Sequence, residues 1–583
     1  MLGSYIDTVT DEEIREFNKL LAKFIFGTAL PFNTVGAETF KALFLKIRPA
    51  YAPHIPSPEV LGDRLLDEVY QELNEVTKRK IKNATMVSIC SDGWDDQNVK
   101  HHINFVAIIP KEKPIFIESV CTKSMKMTGK NIAKLLLRFI ERIGAPKVTS
   151  VVTDTAKNMQ AAWAIIEAKY PHIHCNGCAA HVMNLLIKDI LSIDALKAVM
   201  TKATAVVKVI RRTQRIKAKF DECASTRADG THLNQLVMPS NTRWYSQYTM
   251  LTRLHAAQWV IRSFEKDECI TGMPDKAKRE AFLSSITDPG FWGSVETLIK
   301  IIEKPSLSIG QLESDKSSLD LVYHTFSDMV KYYTTDPAMT SLVHECKYKV
   351  GHHRYSGKLC DRLKAIAMNR WVYINTQSMS MSYLLSPNKH KYTSSMTDYQ
   401  ASQQFVANHA KLMYKTEAER AQCMKELSDY LEQFSLMEPA KKEYLYGMSP
   451  SHYWGSYANN EFPLLAKVAH RLYYIPTSSA STERCWSVFA LVHSKRRNRL
   501  CIDKVEKLVF IYCNACFFTT DRTDYAMLLA AVAGGEEGNN QGDFYQSSSI
   551  DDSDEEDADE VSDDVTLADS VASSDSSDES DDE

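Results

Sequence analysis

Three runs, ATMVSIC (84–90), HHINFVAIIP (101–110) and PIFIESVCT (114–122), follow one another with short links between them. Each is short and rich in β-branched and aromatic residues, so together they predict a meander of antiparallel strands. The period then changes. In GKNIAKLLLRFIERIG (129–144), Ile132, Leu135, Leu136, Phe139 and Ile140 recur at helical spacing. KVTSVVTD (147–154) reads as a buried strand, MQAAWAIIEAKY (159–170) as a helix, HIHCNGCA (172–179) as a fifth strand and AHVMNLLIKDIL (180–191) as a helix after it. The order is therefore β-β-β-α-β-α-β-α. Helical crossovers return the chain to the same end of a sheet, so the later strands pair in parallel and the sheet is mixed.

That order is the order of the RNase H-like fold, in which the first and fourth strands are parallel neighbours. The expected class is α/β, with an RNase H-like mixed sheet, helices on both faces and a large, mainly helical insertion. Residues 1–80 read as an N-terminal helical region, broken at LPFNTV (30–35) and RPAYAPHIPSP (48–58). The core begins over 81–245, the helical insertion spans 246–445, and 446–525 returns to compact patterning that completes the core. No fixed-period repeat is present.

Over 583 residues the chain exceeds what one hydrophobic core normally serves. Its thirteen cysteines show no framework spacing and read as free thiols in a reducing compartment. The start, MLGSYIDTVTDEEIREF, lacks the basic and apolar regions of a signal peptide, and LVFIYCNACFF (508–518) is too short to span a bilayer. A soluble intracellular protein with no membrane partner is expected. The net charge of −5 hides an asymmetry: residues 534–583 carry 20 acids and no Lys or Arg, leaving 69 basic against 54 acidic residues in 1–533. DDSDEEDADEVSDD cannot bury enough apolar surface to fold, so 534–583 reads as a disordered acidic tail. Such a tail either solubilises, or competes with polyanions for the basic body and binds basic proteins.

The first strand run leads into SDGW and the fourth ends in TDTA. Neighbouring parallel strands bring Asp92 and Asp154 to one edge of the sheet. Two close carboxylates repel unless a cation lies between them, and Mg²⁺ or Mn²⁺ suits all-oxygen ligands. Each acid alone also has an ordinary reading, Asp92 as a turn residue before glycine and Asp154 as a cap for the next helix. Asp95 and Asp96 read as solvated loop charges, and Trp94 and Trp486 as packing residues near the pocket.

The blocks SICSDGWDDQNVKHHINFVAII, VVTDTAKNMQAAW, HCNGCAAHVMNLLIKDI, NTRWYSQYTMLTRL and STERCWSVFALVHSKRRNRL, in this order, resemble the hAT superfamily of cut-and-paste DNA transposases. The first of them resemble the uncharacterised domain that often precedes the hAT C-terminal dimerisation region. The resemblance spans most of 25–520. It implies an Asp-Asp-Glu metal site whose third acid follows the insertion, here Asp92, Asp154 and Glu483. DNA is the implied substrate, a homodimer the implied assembly, and the nucleus the expected location. Metal-dependent DNA strand cleavage and transfer is the implied activity, and a catalytically silent, domesticated DNA-binding or protein-interaction protein is the alternative.

Other residues follow from the same comparison. HIHCNGCAAHVMN crowds liganding atoms, and Cys175, Cys178 and His181 admit a zinc reading, although no second ligand pair accompanies them. Cys178 and His181 instead match a Cys-x-x-His that the family carries near the active site, and a structural or DNA-proximal pair is the preferred reading. Arg243 and Trp244 match an Arg-Trp pair whose tryptophan stacks on a flipped base. The basic cluster Lys495, Arg496, Arg497 and Arg499 is suited to the DNA backbone. After it, the apolar positions 505 and 508–511 mark a helix expected to be partly buried in self-association. Many family members begin with a zinc-binding BED finger. Residues 1–80 hold no cysteine and a single His54, so no such finger is expected here.

Overall fold

The computed structural model describes residues 7–95, 101–123, 125–225, 233–240, 245–314, 317–343, 345–350, 353–388, 396–445, 448–493 and 500–518. One compact unit takes in Met1–Tyr348 and Ser356–Phe518, and a second takes in Lys349–Tyr355 and Thr519–Glu583.

At the N-terminus, helix α1 (Asp11–Gly27) starts in a capping box: Thr10 Oγ1 accepts from the Glu13 N–H, and the Glu13 carboxylate accepts from the Thr10 N–H. Helix α2 (Glu38–Ile47) follows the predicted break, and α3 (Leu66–Asn83) leads into the sheet. Strand β1 (Val87–Asp95) extends further than its apolar run, because SDGW continues the antiparallel ladder with β2 (His101–Ile108). Strand β3 (Ile115–Cys121), helix α4 (Gly129–Ile143), strand β4 (Val148–Thr153), helix α5 (Lys157–Lys169), strand β5 (His174–Gly177) and helix α6 (Ala179–Leu191) complete the series. The sheet order is β3-β2-β1-β4-β5, with β1, β4 and β5 parallel and the meander antiparallel, as the run order predicts.

All six residues of β4 are buried, which suits a central parallel strand covered on both sides. On one face, Phe105 of β2 stacks on Phe139 of α4 with ring centroids 3.8 Å apart. On the other, Trp94 packs against Phe489 at 5.2 Å, which belongs to a late helix described below. Helices therefore cover both faces.

Beyond α6 the chain is mostly helical, as expected. Helix α7 (Asp194–Arg212), α8 (Pro289–Glu313), α9 (Leu319–Thr335), α10 (Leu359–Ile374), α11 (Gln377–Leu385), α12 (Met396–Met413) and α13 (Glu417–Leu436) are its main elements. A two-stranded ladder, β6 (Glu345–Val350) with β7 (His353–Lys358), lies within this stretch and has no counterpart in the sequence reading. The insertion docks on the β5 side of the sheet. Arg370 of α10 pairs with Asp189 of α6 at 2.7 Å, Tyr373 donates to the Thr155 carbonyl, and Thr376 donates to Asn176.

The chain closes with helix α14 (Pro463–Tyr473), α15 (Ala480–Val492) and α16 (Ile502–Asn514). One expectation is corrected here. Val505, Leu508, Val509, Phe510 and Ile511 of α16 are all buried inside the chain itself. Tyr70 of α3 meets Phe510 at 5.0 Å, Lys507 pairs with Asp67 at 2.8 Å, and Asn514 bonds both backbone groups of Phe116 in β3. The apolar face that reads as an interface between copies is covered by the protein's own N-terminal helices and sheet.

Candidate active site

Strand register assembles the site. The parallel ladder of β1 and β4 ends at the Cys90–Val152 rung, and Asp92 and Asp154 each stand two residues beyond it. Val152 pairs in turn with Asn176 of β5, and Cys178 stands two residues beyond that. One level at the C-terminal edge thus carries Asp92, Asp154 and Cys178. Gly177, just before, allows a tight approach: a Cβ there would lie 2.1 Å from Thr155 Cγ2.

Asp92 is 9% exposed, and its Oδ1 accepts from the Gly93 N–H at 2.8 Å. Burial, then the charge of Glu483, then that of Asp154 hold its carboxyl well above the usual range. Asp154 Oδ1 accepts from the Ala156 N–H at 2.8 Å, ahead of α5. Ala156, not Asp154, is the N-cap of α5 and no side chain caps it, so the capping reading of Asp154 is not met; its carboxylate instead closes the turn ahead of the helix. Glu483 lies in the first turn of α15, where its N–H reaches the Ser479 carbonyl at 3.3 Å. Asp154 and Glu483 thus both act on Asp92, although Glu483 lies more than three hundred residues away in the chain.

The start of α15 is tied to the sheet edge by backbone and sulfur. Cys178 Sγ accepts from the Ser479 N–H at 3.3 Å and from the His181 N–H at 3.5 Å. The Ala179 N–H donates to the Thr477 carbonyl at 2.8 Å, and Cys90 Sγ donates to the Ser478 carbonyl at 3.7 Å. Cys178 is fully buried, and that burial pushes its thiol up to about 12, so it is a neutral packing and accepting group. It positions the helix that carries Glu483, a role that no spacing in the sequence reveals. His181 keeps an exposed ring; desolvation by its surroundings lowers its pKa while Asp154 acts in the opposite sense.

Asn104, also missed in the sequence, is level with Asp92 across the ladder and is fully buried. Neither of its amide atoms has a hydrogen-bond partner among the described residues, nor has Ser119 Oγ on the next strand. Trp94 packs nearby as expected, against His102 and Phe489, and Trp486 is half-buried on α15. On the other side of the α15 start, a cavity of about 600 Å³ is lined by Lys111, Lys113, Ser317, Thr477, Ser481 and Arg484, among others. Among the described residues, no three His, Cys, Asp or Glu side chains converge closely enough to hold an ion as they stand. Arg243, Trp244, Lys495, Arg496, Arg497 and Arg499, with Asp96 and the acidic tail, lie outside the described residues.

Three family profiles match the chain. They are a domain of unknown function (DUF659) over residues 56–206, the ZBED1 RNase-like helical domain over 176–286, and the hAT family C-terminal dimerisation region over 426–515. No curated protein matches it.

Proposed function

The chain is an hAT-family transposase-like protein, and from that premise we propose that it binds DNA and cleaves and joins DNA strands at an RNase H-like core. Asp92, Asp154 and Glu483 are the acids of this reading. The observation that carries it is the edge register of Asp92 and Asp154, with Glu483 near enough to raise the Asp92 carboxyl.

The donor set fits Mg²⁺ or Mn²⁺. It is all oxygen, and the burial that raises the Asp92 carboxyl, with the repulsion of Glu483 and Asp154 added to it, is what a divalent cation offsets. Bound there, the ions would supply Lewis-acid charge at a phosphodiester. Binding requires the three carboxylates to close further than they stand. The chain's own groups do the rest: Cys178 holds the α15 start to the sheet edge, and Gly93 and Ala156 orient the two aspartates through their N–H groups. Lys111, Lys113 and Arg484 border the Glu483 helix and suit the DNA backbone. Arg243, Trp244 and the 495–499 cluster join them by resemblance.

Self-association belongs to the 426–515 region. Since the apolar face of α16 is internal, the surface available for it is the part of this region left outside, including Leu436 at 77% and Tyr444 at 71% exposed. Among the described residues no helix is long and apolar enough to cross a membrane, and a nuclear site of action is part of the proposal.

A second reading, a catalytically silent protein that binds DNA or partners and dimerises, is favoured by one observation: the three carboxylates do not yet converge. The test is cleavage, with Mn²⁺, of plasmid DNA carrying the genomic segments that flank the coding sequence. Cleavage lost in Asp154→Ala, with DNA binding retained, is expected. Binding without cleavage by the wild type overturns the enzyme and leaves the second reading.

A further inference from the structure

Away from the acids, β5 and the insertion meet through two imidazoles. His174 Nε2 on β5 lies 2.6 Å from His409 Nε2 on α12, with ring centroids 4.6 Å apart. Phe405 stacks on His409 at 4.1 Å. His409 Nδ1 lies 3.1 Å from the Phe405 carbonyl. A carbonyl only accepts, so Nδ1 carries the proton and the neutral ring has its lone pair on Nε2. Burial lowers both histidines, His409 to about 4, and Arg471 acts in the same direction on each. Both rings are therefore neutral near pH 7.

The pair faces a cavity of about 440 Å³ whose wall also carries Glu167, Cys175, Asn408 and Trp163. Glu167 Oε1 accepts from the Cys175 N–H at 3.0 Å, which holds a carboxylate on the same wall. As the pair stands, His174 Nε2–H donates to the His409 Nε2 lone pair. An ion would take the place of that proton once the neutral His174 ring shifts its N–H to Nδ1. A ring oriented by a hydrogen bond from its far nitrogen, as His409 is, matches how proteins present imidazole to borderline divalent ions.

We propose that His174 and His409 form a transition-metal site for an ion of the Zn²⁺ class, with Glu167 as its anionic third donor. Tetrahedral Zn²⁺ at its usual Zn–N length sets two nitrogens roughly 3.3 Å apart, so the rings must separate by less than ~1 Å. The neighbouring cavity leaves room for that movement and for Glu167 to turn inward. The site is distinct from the carboxylates of β1 and β4, which suit harder ions, and it stands whether or not those acids are catalytic. Its effect is to join the insertion to the edge strand of the sheet.

The test uses the full chain stripped with a chelator and titrated with Zn²⁺ by calorimetry, and with Co²⁺ by visible absorption. The wild type should bind one more Zn²⁺ per chain than His409→Ala or His174→Ala, and Zn²⁺ should raise the unfolding temperature of the wild type alone. Asp154→Ala should retain the site. Equal stoichiometry and equal thermal response in wild type and variants overturn the proposal and leave a plain N–H···N bond. Should both alanine variants fail to fold, the wild type decides: no Co²⁺ absorption band with imidazole character at one equivalent also overturns it.

Discussion

Replacing Cys178 by alanine removes one sulfur and leaves two backbone donors, the N–H groups of Ser479 and His181, without their acceptor. Ser479 is 1% exposed, so water does not readily substitute. A buried donor without a partner costs about 1–3 kcal/mol. Sulfur accepts weakly, and the contacts of 3.3 and 3.5 Å are long, so the lower end applies to each. The expected loss is about 2 kcal/mol of global stability, read from the denaturant midpoint at unchanged slope. Amide exchange at Ser479 and through the first turn of α15 should quicken about 5- to 30-fold, the ratio that 1–2 kcal/mol of easier opening gives. Cys178→Ser restores an acceptor and should recover part of both. If Cys178→Ala leaves exchange at 479–483 unchanged while the midpoint falls, the sulfur only fills space and its positioning role is refuted.

Asp92→Asn should stabilise the protein at neutral and alkaline pH. The folded carboxyl is raised, so the stability it contributes is present below its unfolded value of about 3.9 and lost as pH rises through the folded one. The variant's advantage should vanish on acidification; equal midpoints for both proteins at pH 8 would contradict the carboxylate crowding. Gly177→Ala drives a methyl against Thr155 Cγ2 and should cost about 1–3 kcal/mol, largely recovered when Thr155→Ser removes that methyl; additive losses would place the strain elsewhere. Leu436→Glu with Tyr444→Glu should shift the assembly to monomer by light scattering with circular dichroism unchanged, and a persistent dimer would move the interface off these residues. Removing 534–583 should tighten DNA binding and steepen its salt dependence, whereas unchanged affinity makes the tail a solubiliser only.

The sheet was legible because its strands obey simple rules. The meander shows short β-rich runs, and VTSVVT is apolar enough to mark a strand covered on both faces. From those two facts the Asp92 and Asp154 edge follows, since register is inherited by residues just past a ladder. The β6–β7 ladder escaped because ECKYKV and HRYSGK are mostly polar and show no apolar alternation to impose a period. Helix α16 illustrates a different limit. Its apolar positions were read correctly as buried, but a sequence does not state whose surface covers them, and here α3 and β3 do. The link from Cys178 to Ser479 crosses 301 positions and rests on a thiol accepting backbone protons, for which no local pattern exists. Glu483 was found by resemblance, and it sits in the first turn of a helix whose N-cap, Ser479, makes no side-chain cap.

The burial of α16 against α3 has a consequence during synthesis. A ribosome releases the chain from its N-terminus, so the sheet and its two aspartates emerge long before residues 502–514 that cover β3. Until then the apolar rows of α3 and β3 that α16 covers are open to water. A product cut short between α15 and α16 keeps the ties of residues 477–479 to Cys178, Ala179 and Cys90 but leaves those rows uncovered. Coding sequences interrupted there would yield chains that aggregate more readily than the full-length protein.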